Sequence, residues 1–235
     1  MTRGSVRELM DKAVWKVRRR VSANERFREI YLRGTWGGSE SASGPGSSME
    51  ETRVLSRALR EVIEDMSVRS LLDIPCGDFH WMQHVDLSDV EYVGADVVPE
   101  MVAANATRFA GANVSFRRLD VMSDRLPAVD LVLCRDCLPH FSLRDARRAL
   151  ENIVASGSTY LLTTTFTDRQ VNSDIKTGDF RALNLEREPF ALPPPLRVFN
   201  EECALYDNAL RDKSIGLWRV DEVRSALAGS HERRP

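Results

Sequence analysis

The chain of 235 residues is long enough for one domain with a sizeable core and too short for two large domains. Apolar residues make up 43% and charged residues 29%, which excludes collagen-like, mucin-like and wholly disordered chains. The net charge of −2 gives no electrostatic case for nucleic-acid binding, and no run of 18 apolar residues predicts a membrane span.

Two features of the sequence bear on where the protein works. The first 20 residues are basic, but Glu8 and Asp11 interrupt them and no apolar core or cleavage site follows, so we expect no signal peptide. The four cysteines lie in apolar stretches, which suits a reducing compartment better than a disulfide framework. We therefore expect a cytoplasmic protein.

The N-terminal part of the chain divides into a helical segment and a small-residue segment. Residues 1–33 have apolar residues three and four positions apart, which predicts a helix. The arginines at 18–20 are expected on its solvated face or, alternatively, against an anionic membrane. Residues 34–48 are typical of a linker or of a lid that becomes ordered on a ligand. We interpret residues 1–48 as an N-terminal helical lid.

Residues 49–235 are expected to form the main domain, in which apolar runs alternate with helical patterns. Ser48 and Glu51 form a capping box that predicts the start of a helix, and Ser142 caps a second helix over residues 143–154. The predicted strands cover residues 68–74, 91–95, 114–119, 129–134, 159–165 and 215–220. This alternation predicts an α/β fold, doubly wound, with a mostly parallel sheet and helices on both faces. Residues 167–200 fit no such element and indicate a functional loop inserted over the end of the sheet.

Four consecutive predicted strands each end at an acidic residue. Asp73, Asp96, Asp120 and Asp136 would meet at the carboxyl edge of the sheet, where open α/β sheets bind ligands. Capping of helices explains one such residue more easily than four. Asp96 follows Asp73 by 23 residues, a spacing typical of an acid that accepts ribose hydroxyls. We therefore expect a cofactor of the adenosine type.

The turn after the first strand narrows the choice of cofactor. A dinucleotide fold needs three glycines so that a pyrophosphate reaches a helix N-terminus, whereas this turn has Gly77 with Pro75 and Phe79 at the outer positions. A cofactor without phosphates, such as S-adenosylmethionine, needs no such close approach. A nicotinamide-dependent oxidoreductase is thus the disfavoured enzymatic alternative.

Four segments resemble, in order, the motifs of class I S-adenosylmethionine-dependent methyltransferases. They are residues 71–78 (LLDIPCGD), 92–96 (YVGAD), 119–121 (LDV) and 129–136 (VDLVLCRD). Pro75 and Phe79 depart from the Gly-rich pattern of the family. The resemblance implies a Rossmann-like sheet of seven strands and S-adenosylmethionine as cofactor.

The resemblance also implies roles for individual residues. The turn from Asp73 to Gly77 would lie along the methionine part of the cofactor, Asp96 would hold the ribose hydroxyls, and Asp120 with Val121 would meet the adenine edge. The cofactor-binding residues expected on this basis are Ser47, Asp73, Pro75, Gly77, Asp96, Asp120, Val121 and Arg135.

A narrower likeness covers residues 43–48, 135–141, 184–185 with 189–190, and 213–218. In these segments the chain is similar to mycobacterial sugar O-methyltransferases of methylmannose polysaccharide synthesis. That likeness implies methyl transfer to the hydroxyl of a small molecule, a sugar or saccharide. N-methylation of a small metabolite and a scaffold that binds the cofactor without turnover are the alternatives.

DNA methylation is disfavoured, because the fourth strand ends in Cys-Arg-Asp-Cys rather than the Pro-Pro-aromatic turn that grips a flipped base.

His140 is the predicted general base. It lies four residues beyond Asp136, on the loop over the strand ends, and a histidine is suited to removing a hydroxyl proton near neutral pH. Asp136 could orient the imidazole, act as the base itself or touch the acceptor. Arg135 could bind the acceptor or pair with Asp136.

The polar residues of the insertion at about 167–200 are candidates for binding acceptor hydroxyls, and Phe180 and Phe190 could stack on a sugar face. The predicted substrate-binding residues are Trp36, Arg135, Asn172, Asp174, Arg181 and Asn184. Asp120, Asp136 and Asp174 leave Mg²⁺ open as a further cofactor, although no metal-ligand set is predicted. Assembly into a homo-oligomer is also left open.

Overall fold

The computed structural model describes residues 22–232, in which seven strands form one sheet in the order β3-β2-β1-β4-β5-β7-β6. The strands are β1 (Ser70–Asp73), β2 (Glu91–Asp96), β3 (Val114–Arg118), β4 (Leu131–Cys134), β5 (Tyr160–Phe166), β6 (Arg197–Asn200) and β7 (Lys213–Arg219). The α-helices are α1 (Ala23–Leu32), α2 (Arg53–Asp65), α3 (Pro99–Phe109), α4 (Leu143–Ala155) and α5 (Val220–Glu232). The helix predicted for residues 1–33 is confirmed over α1, while residues 1–21, with the arginines at 18–20, lie outside the described part.

Strands β1 to β5 are parallel, and β7 is antiparallel to both β5 and β6. The predicted Rossmann-like, mostly parallel seven-stranded fold is therefore confirmed. The strand order reverses between β1 and β4, which is where open α/β sheets form a ligand crevice at their carboxyl edge.

The core lies in two apolar clusters, one on each face of the sheet. Successive residues of β1 alternate between them, since Leu71 packs with helix α2 and Leu72 packs with helices α4 and α5. All four residues of β4 are buried. A parallel strand covered on both faces reads as a continuous apolar run, which explains why the central strands were predictable.

Three local elements differ from the sequence predictions. Ser48 Oγ accepts the backbone N–H of Glu51 at 3.3 Å, but helix α2 begins at Arg53 with Thr52 in the N-cap position. A capping box instead starts α1, where Ser22 and Glu25 exchange hydrogen bonds. Strand β6 lies inside the stretch predicted to be a loop. The sequence gives no sign of it because it is a four-residue edge strand whose side chains alternate between half-buried and exposed.

The helix α4 matches its prediction closely. It begins at Leu143, and the hydroxyl of the N-cap residue Ser142 accepts the N–H of Asp145 at 3.1 Å. None of the helices within residues 22–232 combines the length and hydrophobicity that a bilayer crossing requires.

Candidate active site

A cavity of about 580 Å³ opens at the carboxyl edge of the sheet. Its walls come from the ends of β1, β2 and β4, from the start of β7, from helix α1 and from the segment 34–48. The predicted site residues that line it are Trp36, Ser47, Asp73, Pro75, Gly77, Asp96, Asp120, Val121, Arg135, Asp136 and His140. The structure thus brings together residues that are more than 100 positions apart in the chain.

The first turn, after β1, is joined to the small-residue segment 34–48 through Asp78. Its carboxylate accepts the hydroxyl of Ser41 at 2.9 Å and the N–H of Ala42 at 2.7 Å, while its own N–H donates to Ser43 Oγ at 3.1 Å. Gly77 has a φ of +57°, and a Cβ there would collide with the side chain of Ser43. The segment is therefore folded onto the turn, and glycine is required where the two meet.

Two buried carboxylates lie at the ends of β1 and β2. Asp73 accepts the hydroxyl of Tyr92 at 2.7 Å, and Asp96 accepts the backbone N–H groups of Val98 at 3.0 Å and Gly77 at 3.3 Å. Burial raises the pKa of Asp73 to about 7 and the pKa of Asp96 to about 6. A cation or hydroxyl donors in the cavity would therefore stabilise the ionised form of both carboxylates.

Asp120 marks the other end of the cavity, where Val121 lies buried beside it. Its carboxylate accepts the backbone N–H of Met122 at 2.8 Å and the hydroxyl of Ser123 at 3.0 Å. The side-chain amide of Asn24, on helix α1, donates to the same carboxylate at 3.0 Å. Helix α1 is thereby fastened to the sheet edge at this point.

Four charged side chains, three of them buried and Asp136 half-buried, form a network between β4 and β7. Arg135 donates to Glu201 at 2.6 Å and lies 3.3 Å from Asp136, and Lys213 Nζ donates to Asp136 at 2.7 Å. Burial by itself would raise the pKa of Asp136, but the two cations outweigh it and hold that pKa well below its usual range. Asp136 is consequently a fixed anion and a weak base.

Arg135 also donates to the carbonyl oxygen of Gly46 at 2.9 Å. This bond connects the network to the short 3₁₀ turn Pro45–Ser47, which places Ser47 at the cavity wall. Arg135 therefore both pairs with Asp136, as one of the two predictions for it stated, and holds the segment 34–48 in place.

His140 lies in a short 3₁₀ turn, Leu138–His140, that follows β4. Its Nδ1 is 2.9 Å from the carbonyl oxygen of Asp179. Because a carbonyl can only accept, Nδ1 carries the proton and Nε2 keeps its lone pair. Burial lowers the pKa of His140 and outweighs the attraction to Asp136, so the imidazole is neutral at pH 7.

Aromatic rings flank His140 along one wall of the cavity. The ring centroid of His140 lies 5.7 Å from that of Trp36 and 5.4 Å from that of Phe180. Phe27 and Phe166 continue this wall beyond Trp36 and Phe180. The remaining predicted stacking residue, Phe190, is fully buried in the core.

Four polar residues predicted to bind substrate do not line the cavity. The Asn172 amide donates to the carbonyl oxygens of Asn184 and Glu188, and the Asn184 amide donates to the carbonyl oxygen of Arg169. These bonds join the start of the insertion to its middle. Asn172 and Asn184 therefore shape the loop, because their amides satisfy its backbone.

The other two make similar contacts with main-chain groups. Asp174 accepts the N–H of Leu143 at 2.7 Å and so caps helix α4. The guanidinium of Arg181 donates to the carbonyl oxygens of Leu138 and Pro139 at 3.1 Å, which anchors the insertion to the turn that carries His140. Trp36 and Arg135 are the predicted substrate-binding residues that do line the cavity.

Within residues 22–232, no three His, Cys, Asp or Glu side chains gather where they could hold a metal ion. Asp120, Asp136 and Asp174, which left Mg²⁺ open, are hydrogen-bonded to separate groups. The four cysteines are free and buried, Cys134 and Cys137 among them.

Sequence reasoning missed Asn24, Lys213 and Glu201 as residues of this region. A lysine at the start of an apolar strand was a signal for Lys213, since a buried lysine needs an anionic partner. Neither Asn24 nor Glu201 carries such a signal, because their partners are 96 and 66 positions away.

Comparisons with known proteins agree with this geometry. Residues 72–156 match the family model described as a methyltransferase domain. None of the curated proteins matches the chain.

Solved structures with a similar fold include the N-methyltransferase NodS from Bradyrhizobium japonicum WM9, at a TM-score of 0.56 and 14% identity over 74% of this chain and 98% of that one. Human N-acetylserotonin methyltransferase in complex with SAM has a TM-score of 0.50 and 14% identity over 81% and 65%. PigF with SAH has a TM-score of 0.53 and 12% identity over 72% and 55%. At these identities the likeness establishes the fold. The chain thus has the fold of these methyltransferase structures, and residues 72–156 within it match the methyltransferase-domain model.

Proposed function

We propose that the protein transfers a methyl group from S-adenosylmethionine to a hydroxyl group of a small molecule, with His140 as the general base. The observation that carries the proposal is the state of His140. Its Nδ1 proton is donated to Asp179, its ring lines the cavity, and its lowered pKa keeps it neutral. A neutral imidazole with a free Nε2 can accept the acceptor proton.

The residues around the cavity suit the parts of this cofactor. Asp96 is proposed to accept the ribose hydroxyls, and Asp120 with Val121 to meet the adenine. The turn with Asp73, Pro75 and Gly77 is proposed to receive the methionine part, together with Ser47 and Arg135. The buried Asp73 carboxylate fits an ammonium group, because a cation there would offset the cost of its burial.

The cofactor supplies an electrophilic methyl carbon bonded to a positively charged sulfur. His140 Nε2 takes the proton from the acceptor hydroxyl while the oxygen forms its bond to that carbon and the carbon–sulfur bond breaks. Asp136 does not compete for the proton, since Arg135 and Lys213 keep its carboxylate at a low pKa. It contributes a fixed negative charge that favours the imidazolium formed on His140.

The aromatic wall indicates what shape of acceptor the site takes. Trp36 and Phe180 flank the base, and Phe180 is 46% exposed, so a ring-shaped molecule can lie against them. The saccharide predicted from the sequence remains the first class to test, with its apolar ring face on these side chains. The residues 1–48 are proposed to act as a lid, since Trp36 and Ser47 of this segment line the cavity.

A transfer assay with labelled S-adenosylmethionine tests the proposal. Matched pairs of acceptors, such as a sugar and its amino sugar or a phenol and its aniline, are offered to the wild type and to His140→Ala. His84→Ala is the control, because His84 is an exposed histidine that does not line the cavity. We expect transfer to a hydroxyl that His140→Ala loses and His84→Ala keeps. Transfer confined to the amines would establish N-methylation instead, and binding without any transfer would indicate a scaffold.

A further inference from the structure

Among the residues of 22–232 that line the cavity, one buried side-chain polar atom has no hydrogen-bond partner. It is Oδ1 of Asn24, which is buried and accepts no hydrogen bond. Asn24 lies in the first turn of helix α1 and lines the cavity beside Asp120 and Met122. A buried carbonyl-type oxygen without a donor destabilises the folded protein, so its presence in the lining of a cavity calls for an explanation.

The orientation of the Asn24 amide is set by chemistry. Both oxygens of the Asp120 carboxylate accept hydrogen bonds, and the group of Asn24 that lies 3.0 Å from it is therefore the NH₂. The oxygen is the other arm of the same planar amide and points away from Asp120. Asn24 thus offers a fixed acceptor at the end of the cavity.

The carboxylate of Asp120 is already heavily used. It accepts from Met122 N–H, Ser123 Oγ and Asn24 Nδ2, which takes three of its roughly four lone-pair sites. Asp120 keeps about one lone-pair site, and the Asn24 oxygen is a second unused acceptor at this end of the cavity. A ligand that binds here should therefore carry a hydrogen-bond donor.

We propose that Asn24 accepts a hydrogen bond from the exocyclic amino group of the adenine base, so that helix α1 reads the identity of the base. The inference rests on the proposed binding of S-adenosylmethionine. It adds a residue from outside the matched domain, residues 72–156, to the recognition of the cofactor. It also gives the orphaned oxygen its missing donor.

Helix α1 also connects this end of the cavity with His140, the proposed general base. Phe27, one turn after Asn24, contacts Trp36 at 6.2 Å between ring centroids, and Trp36 contacts His140. Helix α1 therefore contributes both to the proposed adenine end of the cavity and to the aromatic wall beside His140.

The test compares S-adenosylhomocysteine with its inosine analogue, in which a carbonyl oxygen replaces the amino group. Dissociation constants are measured by calorimetry for the wild type, Asn24→Leu and Ser123→Ala. Ser123→Ala is the matched control, since it removes a donor to Asp120 without touching the cavity lining. We expect the wild type to prefer the adenine ligand at least tenfold, Asn24→Leu to reduce this preference at least fivefold, and Ser123→Ala to retain it.

An unchanged preference in Asn24→Leu overturns the proposal, and so does an equal loss in Ser123→Ala, which would assign the selectivity to Asp120. Thermal unfolding without ligand checks that the leucine variant is folded. If it is not, Asn24→Ala serves instead, because it removes the same acceptor with a smaller side chain and should reduce the preference in the same way. A wild type that binds neither ligand would overturn the proposed function together with this inference, whereas binding without the expected preference overturns this inference alone.

Discussion

The imidazole Nδ1 of His140 lies 2.9 Å from the carbonyl oxygen of Asp179. This bond makes the insertion after β5 set the tautomer of the proposed base. Arg181, two residues further on, donates to the carbonyl oxygens of Leu138 and Pro139 and holds the same contact from the other side. The long loop therefore positions the proposed general base and also contributes Phe180 to the cavity wall.

His140→Ala should lower the single-turnover rate of methyl transfer by about 10²–10⁴-fold, the usual contribution of a positioned general base. Affinity for S-adenosylhomocysteine should change less than threefold, because His140 is not assigned to the cofactor. Rapid quench for the rate and calorimetry for the affinity measure the two effects separately. A rate within threefold of the wild type would remove the assignment.

Cofactor affinity should fall as the pH is lowered through about 6. The pKa of Asp96 is raised to about 6 by burial, and only the ionised carboxylate offers all its acceptor sites to the ribose. Below that pH Asp96 must lose a proton for each cofactor bound, which adds up to about tenfold per pH unit to the dissociation constant beyond the rise that Asp73 causes below about 7. Asp96→Asn should weaken binding by about 2–3 kcal/mol at pH 7.5 and remove the part of the pH dependence near 6, while the part near 7 remains. A flat profile in the wild type would contradict the assignment of Asp96.

The same carboxylates should make the cofactor-free protein more stable in mild acid. Asp73 and Asp96 have folded-state pKa values of about 7 and about 6, above the value near 3.9 of an unfolded aspartate. The folded state therefore binds protons more tightly, and their contribution to the free energy of unfolding is lost as the pH rises from about 4 to 7. Urea titrations of the wild type and Asp73→Asn across this range measure it. We expect a smaller pH dependence in the variant, and identical profiles would argue against the raised pKa of Asp73.

Lys213→Met should destabilise the protein by about 3–5 kcal/mol, because it leaves the buried Glu201 and the half-buried Asp136 with one cation fewer. The double variant Lys213→Met with Asp136→Asn should recover part of the loss, since it removes the unpaired charge. Urea unfolding of the two single variants and the double variant gives the coupling energy. Additive effects would mean that Lys213 does not stabilise Asp136.

Asp174→Ala should cost about 1 kcal/mol of stability through the lost cap on helix α4. The KM for the acceptor should remain within twofold, because Asp174 does not line the cavity. Phe180→Ala, on the cavity wall, should raise that KM without affecting the cap. A raised KM in Asp174→Ala with an unchanged KM in Phe180→Ala would instead support Asp174 as a substrate-binding residue.

Residues 34–48 should be cleaved slowly by a broad-specificity protease, and more slowly still with S-adenosylhomocysteine bound. Asp78→Ala removes the carboxylate that accepts Ser41 and Ala42, so cleavage of this segment should become at least fivefold faster. Mass spectrometry of the fragments locates the cuts. Cleavage that the cofactor leaves unchanged would reduce the segment to a plain linker.

Local pattern was enough to predict most of the fold. The central strands β1 and β4 are buried on both faces, so that they appear as short apolar runs that end at Asp73 and just before Asp136. The N-cap residue Ser142 was enough to predict where helix α4 begins. Strand β6 was missed because a short edge strand, half-covered and half-exposed, has neither the length nor the burial that makes a pattern visible.

The sequence also sufficed to place the carboxylates Asp73, Asp96 and Asp120, because the carboxyl ends of parallel strands must meet at one edge of the sheet. Only the tertiary structure decided which side chains line the cavity and which form hydrogen bonds with main-chain groups. Asn172 and Asn184 have the composition of a binding site but join their own loop, whereas Asn24 reaches Asp120 across 96 positions. Such side-chain pairs depend on how distant segments pack, and packing depends on shape and burial that no local pattern of residues encodes.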